Sequence, residues 1–107
     1  MLVDVLLPLN FDQSFTYETD QNLKIGNFVL VSFRNKKLMG VVWKLNSKPL
    51  KKKIQIKIIE NVIDFPIFKQ KKINFIEQMA NYNLINKGLI LNLFLYKKGF
   101  LSLNKGL

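Results

Sequence analysis

The sequence predicts a small α+β domain: a partly closed, OB-like β-barrel of four to six strands, followed by one long and one short helix. Three observations predict it. Up to about Ile63 the chain breaks into short β-prone segments separated by turn signals, the pattern of a sheet built from short strands. From about Gln70 the apolar residues change from a period of two to helical spacing. The chain has 107 residues, enough for one domain and too few for two ordinary ones. In so short a chain, curling the sheet into a barrel is the economical way to hide its edges.

Taken in order, Leu2 to Leu7 form a strand ended by Pro8, and Asn10 to Ser14 a polar connection. Phe15-Thr16-Tyr17 is a short β-prone triplet, Thr19 to Asn22 a turn-like stretch, and Gly26 a turn position. Phe28 to Phe33 is a strand, Arg34 to Lys37 a basic hairpin connection, and Leu38 to Trp43 the returning strand. Gly40 within it signals a bulge or a close backbone approach. Lys44 to Lys53 is a Lys-rich loop. Ile54, Ile56 and Ile58 then alternate with Gln55 and Lys57, which puts the three Ile side chains on one face and Lys57 on the other. That strand extends toward Ile63, and Asp64-Phe65-Pro66 ends it. Ile73, Ile76, Met79 and Ala80 keep the spacing of one helix face, Gly88 marks a break, and Leu89 to Leu95 is a second, shorter helix. Residues 1–97 are read as the domain and 98–107 as a flexible tail.

Composition narrows the function. Seventeen basic against seven acidic residues give a net charge of +10, and a field of that sign attracts polyanions such as nucleic acid. The same excess has a second source, because sixteen of the seventeen are Lys and the chain is rich in Ile, Asn and Phe, the skew of an AT-rich genome. Cys and His are both absent, so disulfides, Cys/His metal sites and an imidazole base are excluded. The seven carboxylates show no paired or metal-ligand spacing, and there is no Gly-rich phosphate loop ending in Lys-Ser/Thr. No catalytic constellation, cofactor or small-molecule substrate is therefore expected. The longest apolar run, Leu89 to Tyr96, is interrupted by Asn92 and falls far short of the ~20 residues of a membrane span. Met1 to Leu9 lacks the basic start of a signal peptide. A cytoplasmic protein is expected.

Candidate binding residues come from strand geometry. Phe15 and Tyr17 stand two apart, so their rings leave one face about 7 Å apart. They could wall a base, since base–aromatic stacking is worth about 1–3 kcal/mol, and both rings would serve equally as core. Lys57, opposite its Ile neighbours, faces solvent or a pocket. Arg34, Lys36 and Lys37 form one basic cluster, and Lys48, Lys51, Lys52 and Lys53 another. Such runs are usually solvated surface; beside a pocket they would track a nucleic-acid backbone.

Several weak motifs arrive together in a set order. Val5-Leu6-Leu7-Pro8 is followed by Phe15-Thr16-Tyr17, Lys24-Ile25-Gly26, Val29-Leu30-Val31-Ser32-Phe33, the basic stretch Arg34 to Lys37, and Met39-Gly40-Val41-Val42. Then come Lys57, Asp64 and Pro66, and finally Ala80-Asn81-Tyr82 with Gly88. In this order and spacing, over roughly residues 3 to 95, the chain resembles the amino-terminal domain of the primosomal protein N′ (PriA) family of replication-restart helicases. The resemblance implies a module that captures the 3′ end of single-stranded or leading-strand DNA at stalled replication forks. Its partners would be forked DNA and other primosome proteins. It implies binding of the terminal nucleotide by Phe15, Thr16, Tyr17, Arg34 and Lys57, with backbone contacts from Lys36, Lys37, Lys51 and Lys52. The ATP and zinc chemistry of that family belongs to domains outside this chain.

Two positions depart from the family pattern. The middle of the aromatic triplet is often Asp and here is Thr16, which can hydrogen-bond but carries no charge. The residue after Phe33 is often Gly and here is Arg34, which trades close backbone approach for a phosphate contact. Two other classes stay open on the residues: a small basic RNA- or ribosome-binding barrel, and an inert fragment of a disrupted helicase gene.

Overall fold

The computed structural model describes residues 1–48, 56–64 and 66–97. Six strands precede two helices: β1 (Leu2–Leu6), β2 (Phe15–Glu18), β3 (Phe28–Phe33), β4 (Lys36–Leu45), β5 (Lys57–Ile58), β6 (Asn61–Ile63), α1 (Gln70–Asn83) and α2 (Lys87–Lys97). They form one sheet in the order β5-β2-β1-β4-β3-β6. The outermost strands of this sheet are consecutive in sequence. Only Ile59 and Glu60 separate them, and these residues bond to both sides: Ile59 N–H donates to the Glu18 carbonyl and Glu60 N–H to the Leu30 carbonyl, each at 2.9 Å. The sheet therefore curls back on itself, which brings the two edges a flat sheet would hold apart to one short connection. This is the OB-like α+β arrangement expected from the sequence.

Both faces of the curled sheet are apolar, which explains why its central strands read as nearly continuous hydrophobic runs. Val3, Val5, Leu7, Tyr17, Val29, Val31, Val42 and Ile59 pack together on the concave face. Leu6, Phe28, Val41 and Trp43 face the other way, against Phe68 and the helical residues Ile73, Ile76, Ala80, Ile90, Leu91 and Leu95. Each such side chain, fully buried, contributes about 1.5–3 kcal/mol. The split between faces is reset once within β4. Asp4 pairs with Lys44 but Val5 with Val42, so Trp43 is the extra residue of a bulge. Its indole is thereby set under α1, where Nε1–H donates to Glu77 Oε2 at 2.8 Å. Gly40 marks a close approach instead, since a Cβ there would lie 2.4 Å from Val5 Cγ1.

Three details differ from expectation. The basic connection after β3 is not four residues long: Phe33 already pairs with Lys36, leaving a two-residue turn of Arg34 and Asn35. The Ile54–Ile63 strand is two short strands. Where the chain leaves β2 and joins β3 its alternation restarts, so Ile59 is 7% exposed and Ile58 is 65% exposed; Ile54 and Gln55 lie outside the described residues. The break between the helices falls at Leu84 to Asn86, with Leu84 in the left-handed region at φ 55°, and Gly88 sits inside the first turn of α2.

Candidate nucleic-acid interface

The β3–β4 turn is built from two residues of positive φ, Arg34 at 49° and Asn35 at 65°. That is the pattern of the type I′ turn that suits the twist of a hairpin. Its tightness brings Arg34 back over the rings beneath it. The guanidinium carbon lies 5.1 Å from the centre of the Phe33 ring and 5.4 Å from that of Phe11. Those rings form a three-membered cluster with Phe15, at 4.8 Å for Phe15–Phe33, 5.7 Å for Phe11–Phe15 and 6.2 Å for Phe11–Phe33. A guanidinium held over ring faces keeps its N–H donors directed outward in its own plane. Arg34 is exposed and the three Phe residues are half-buried, so a fixed cationic donor stands over an apolar base.

Phe15 and Tyr17 share a strand face, as alternation requires. Tyr17 pairs with Val3 and Phe15 with Val5. Tyr17 turns inward and is 3% exposed. Its hydroxyl crosses the barrel and donates to the Ser32 carbonyl at 2.9 Å, and burial pushes its pKa up to about 12. Tyr17 is thus a core residue that ties β2 to the end of β3. Phe15 reaches the surface only as part of the ring cluster. Thr16, on the other side of β2, donates from Oγ1 to Asp4 Oδ1 at 2.9 Å; it does not share a face with the rings.

Lys57 is exposed and stands in parallel register beside Tyr17. Lys36 and Lys37 open β4, both exposed, and Lys37 pairs with Glu60 at 3.2 Å. The fold thus links Phe15–Tyr17 to Ser32–Arg34 through the Tyr17–Ser32 hydrogen bond and the Phe15–Phe33 ring contact, and sets Lys57 beside Tyr17 on the neighbouring strand. Lys51 and Lys52 lie outside the described residues. Phe11 was not among the expected site residues. The one signal for it was an aromatic residue within an otherwise polar connection. No cluster of three or more potential metal ligands occurs among the described residues, and among them no helix is long and apolar enough to cross a membrane.

A small curled barrel carrying an exposed, ring-backed arginine and neighbouring lysines defines a polyanion-binding module. Comparison with known proteins gives its kind. Residues 4–96 match the family described as 3′DNA-binding domain (3′BD) of PriA, and the chain belongs to that family. It is 32% identical over 96 residues to the replication restart protein PriA of Rickettsia conorii (strain ATCC VR-613 / Malish 7), covering 88% of this chain and 15% of that protein. Against the replication restart protein PriA of Rickettsia prowazekii (strain Madrid E) the identity is 31% over the same length and coverage. A shorter match, 38% over 56 residues, covers 50% of the chain and 9% of the replication restart protein PriA of Rickettsia typhi (strain ATCC VR-144 / Wilmington). The chain spans about 15% of the length of the first two relatives. The family's ligand is DNA, and nothing in these matches points to an RNA-binding barrel.

Proposed function

We propose that this domain holds the free 3′ end of a single DNA strand, at stalled or forked DNA, as the DNA-end-reading module of a cytoplasmic replication-restart helicase. It has no catalytic step and no cofactor of its own; ATP and zinc chemistry belong to other domains of such a protein. One observation carries the reading. The Tyr17–Ser32 hydrogen bond and the Phe15–Phe33 ring contact tie the Phe15–Tyr17 strand to the end of β3, next to the Arg34 turn, and Lys57 stands in register beside Tyr17.

In this reading Arg34 and Lys57 take the terminal phosphate and sugar, and Phe15 with its ring partners supplies the apolar wall. Thr16 and Tyr17 hold β2 in place, through Asp4 on one side and Ser32 on the other. Lys36 and Lys37 follow the backbone, with Lys51 and Lys52 adding to them. End selectivity in this reading requires a site that admits a terminal 3′-hydroxyl but not a continuing chain. The test is a titration with matched oligonucleotides ending in a 3′-hydroxyl, ending in a 3′-phosphate, or offering only an internal single-stranded junction. A preference for the 3′-hydroxyl end is expected. Equal affinity for all three would overturn end recognition.

A further inference from the structure

We infer that Phe11 is a positioning residue of the DNA site, and that the start of α2 holds it there. The inference rests on the DNA-binding reading above and adds to it an Arg34-positioning role for Phe11 and a support from α2, neither of which that reading uses. Phe11 lies in the connection between β1 and β2 yet reaches the tip of the β3–β4 hairpin, with its ring 5.4 Å from the Arg34 guanidinium carbon. Without that ring the guanidinium keeps a single aromatic neighbour, Phe33, and more of its rotamers become accessible. An arginine already fixed over two rings loses less conformational freedom when it meets a phosphate.

The connection itself has little structure of its own and is fastened from outside. Gly88 N–H donates to the Phe11 carbonyl at 3.0 Å. Asn86 Nδ2 donates to Asn10 at its carbonyl (3.1 Å) and at Oδ1 (2.8 Å), Lys87 N–H to Asp12 Oδ1 at 3.3 Å, and Asn92 Nδ2 to the Pro8 carbonyl at 2.8 Å. The helix comes this close because residue 88 has no side chain: a Cβ there would lie 2.0 Å from the Leu9 carbonyl oxygen and 2.6 Å from that of Leu7. A helix on the far side of the sheet thereby sets where a DNA-contacting guanidinium stands.

The experiment is a double-mutant cycle, with affinity measured by anisotropy of a fluorescein-labelled single-stranded oligonucleotide bearing a free 3′-hydroxyl. Phe11→Leu is expected to weaken binding about 3- to 10-fold, the size of one partly exposed cation–π contact. In an Arg34→Gln background the same change should cost less than about 1.5-fold, and Phe11→Tyr, which keeps a ring, should restore affinity. Asn86→Ala, which removes two hydrogen bonds to the connection without a steric clash, should weaken binding in the same Arg34-dependent way. Gly88→Ala should do so more strongly. A loss from Phe11→Leu that is the same with and without Arg34, or no loss while Arg34→Gln weakens binding, overturns the inference and leaves the DNA-binding reading standing. Failure of the unmodified domain to bind the oligonucleotide overturns that reading first.

Discussion

A tyrosine hydroxyl inside a small barrel must find an acceptor, because leaving a buried polar group unpaired costs about 1–3 kcal/mol. Tyr17 meets this by reaching across to the Ser32 carbonyl, which makes one side chain a strut between β2 and β3. Removing only the hydroxyl, in Tyr17→Phe, is expected to lower stability by about 1 kcal/mol in urea unfolding. DNA affinity of the folded protein should change far less than it does for Arg34→Gln. The same strut gives a pH signature. Burial raises the folded-state pKa from 10.0 to about 12, so the fold favours the neutral phenol. Its contribution is complete below pH 10 and is lost as pH rises through about 12. Unfolding midpoints between those limits should therefore fall in the unmodified protein more than in Tyr17→Phe, and a difference absorbance titration of the two should place the missing phenol near pH 12.

At the scale of elements, the β3–β4 hairpin and α1 each join a structural role to a chemical one. The turn places Arg34 in the left-handed region, where a non-glycine residue carries about 1–2 kcal/mol of strain. The guanidinium's contacts with two rings return a similar amount, about 0.5–1 kcal/mol each. Arg34→Gly is thus expected to leave stability within about 1 kcal/mol while weakening DNA binding several-fold, which separates the two roles in one variant. Helix α1 is joined to the sheet through Glu77, which accepts from Trp43 and pairs with Lys87 at 3.0 Å. Burial alone would raise the Glu77 pKa, but the hydrogen bonds from Trp43 and Lys87 and the charges of Lys87 and Lys44 hold it below its ordinary value. A depressed carboxyl stabilises the fold above the ordinary carboxylate range and loses that effect as pH falls through its folded value. With a side chain 40% exposed the contribution is small, under about 1 kcal/mol. Trp43, the one tryptophan in the chain, should report it as an acid-induced emission shift that Glu77→Gln abolishes.

These elements also show what the sequence made legible. Strand alternation placed Phe15 and Tyr17 on a common face and predicted β3, β4 and α1, because these features depend on local periodicity. The inward turn of Tyr17, the two-residue turn at Arg34 and the recruitment of Phe11 depend on how distant segments close on one another, and periodicity carries no information about closure.

On the scale of the whole molecule, the question is how much of the +10 net charge serves binding. A uniformly basic surface would engage DNA wherever it touched. If the full excess acted, the dependence of log affinity on log salt for a single strand would approach a slope of about −7, at roughly 0.7 per phosphate. The barrel instead carries a few cations whose positions the fold sets. Arg34 is fixed over rings, Lys57 lies beside Tyr17, and Lys36 opens β4, whereas Lys37 is partly engaged by Glu60. Three phosphates neutralised by these three cations give a slope of about −2, steepening to about −4 if Lys37, Lys51 and Lys52 each neutralise one as well. The predicted result is therefore a shallow salt dependence for an oligonucleotide with a free 3′ end, made shallower by about 0.7 in Arg34→Gln. Lys71→Gln, an exposed position on α1 and so on the helical side of the sheet, should leave that slope unchanged. A steep slope that falls equally for both variants would mean that charge acts over the whole surface and that the hairpin end holds no privileged site.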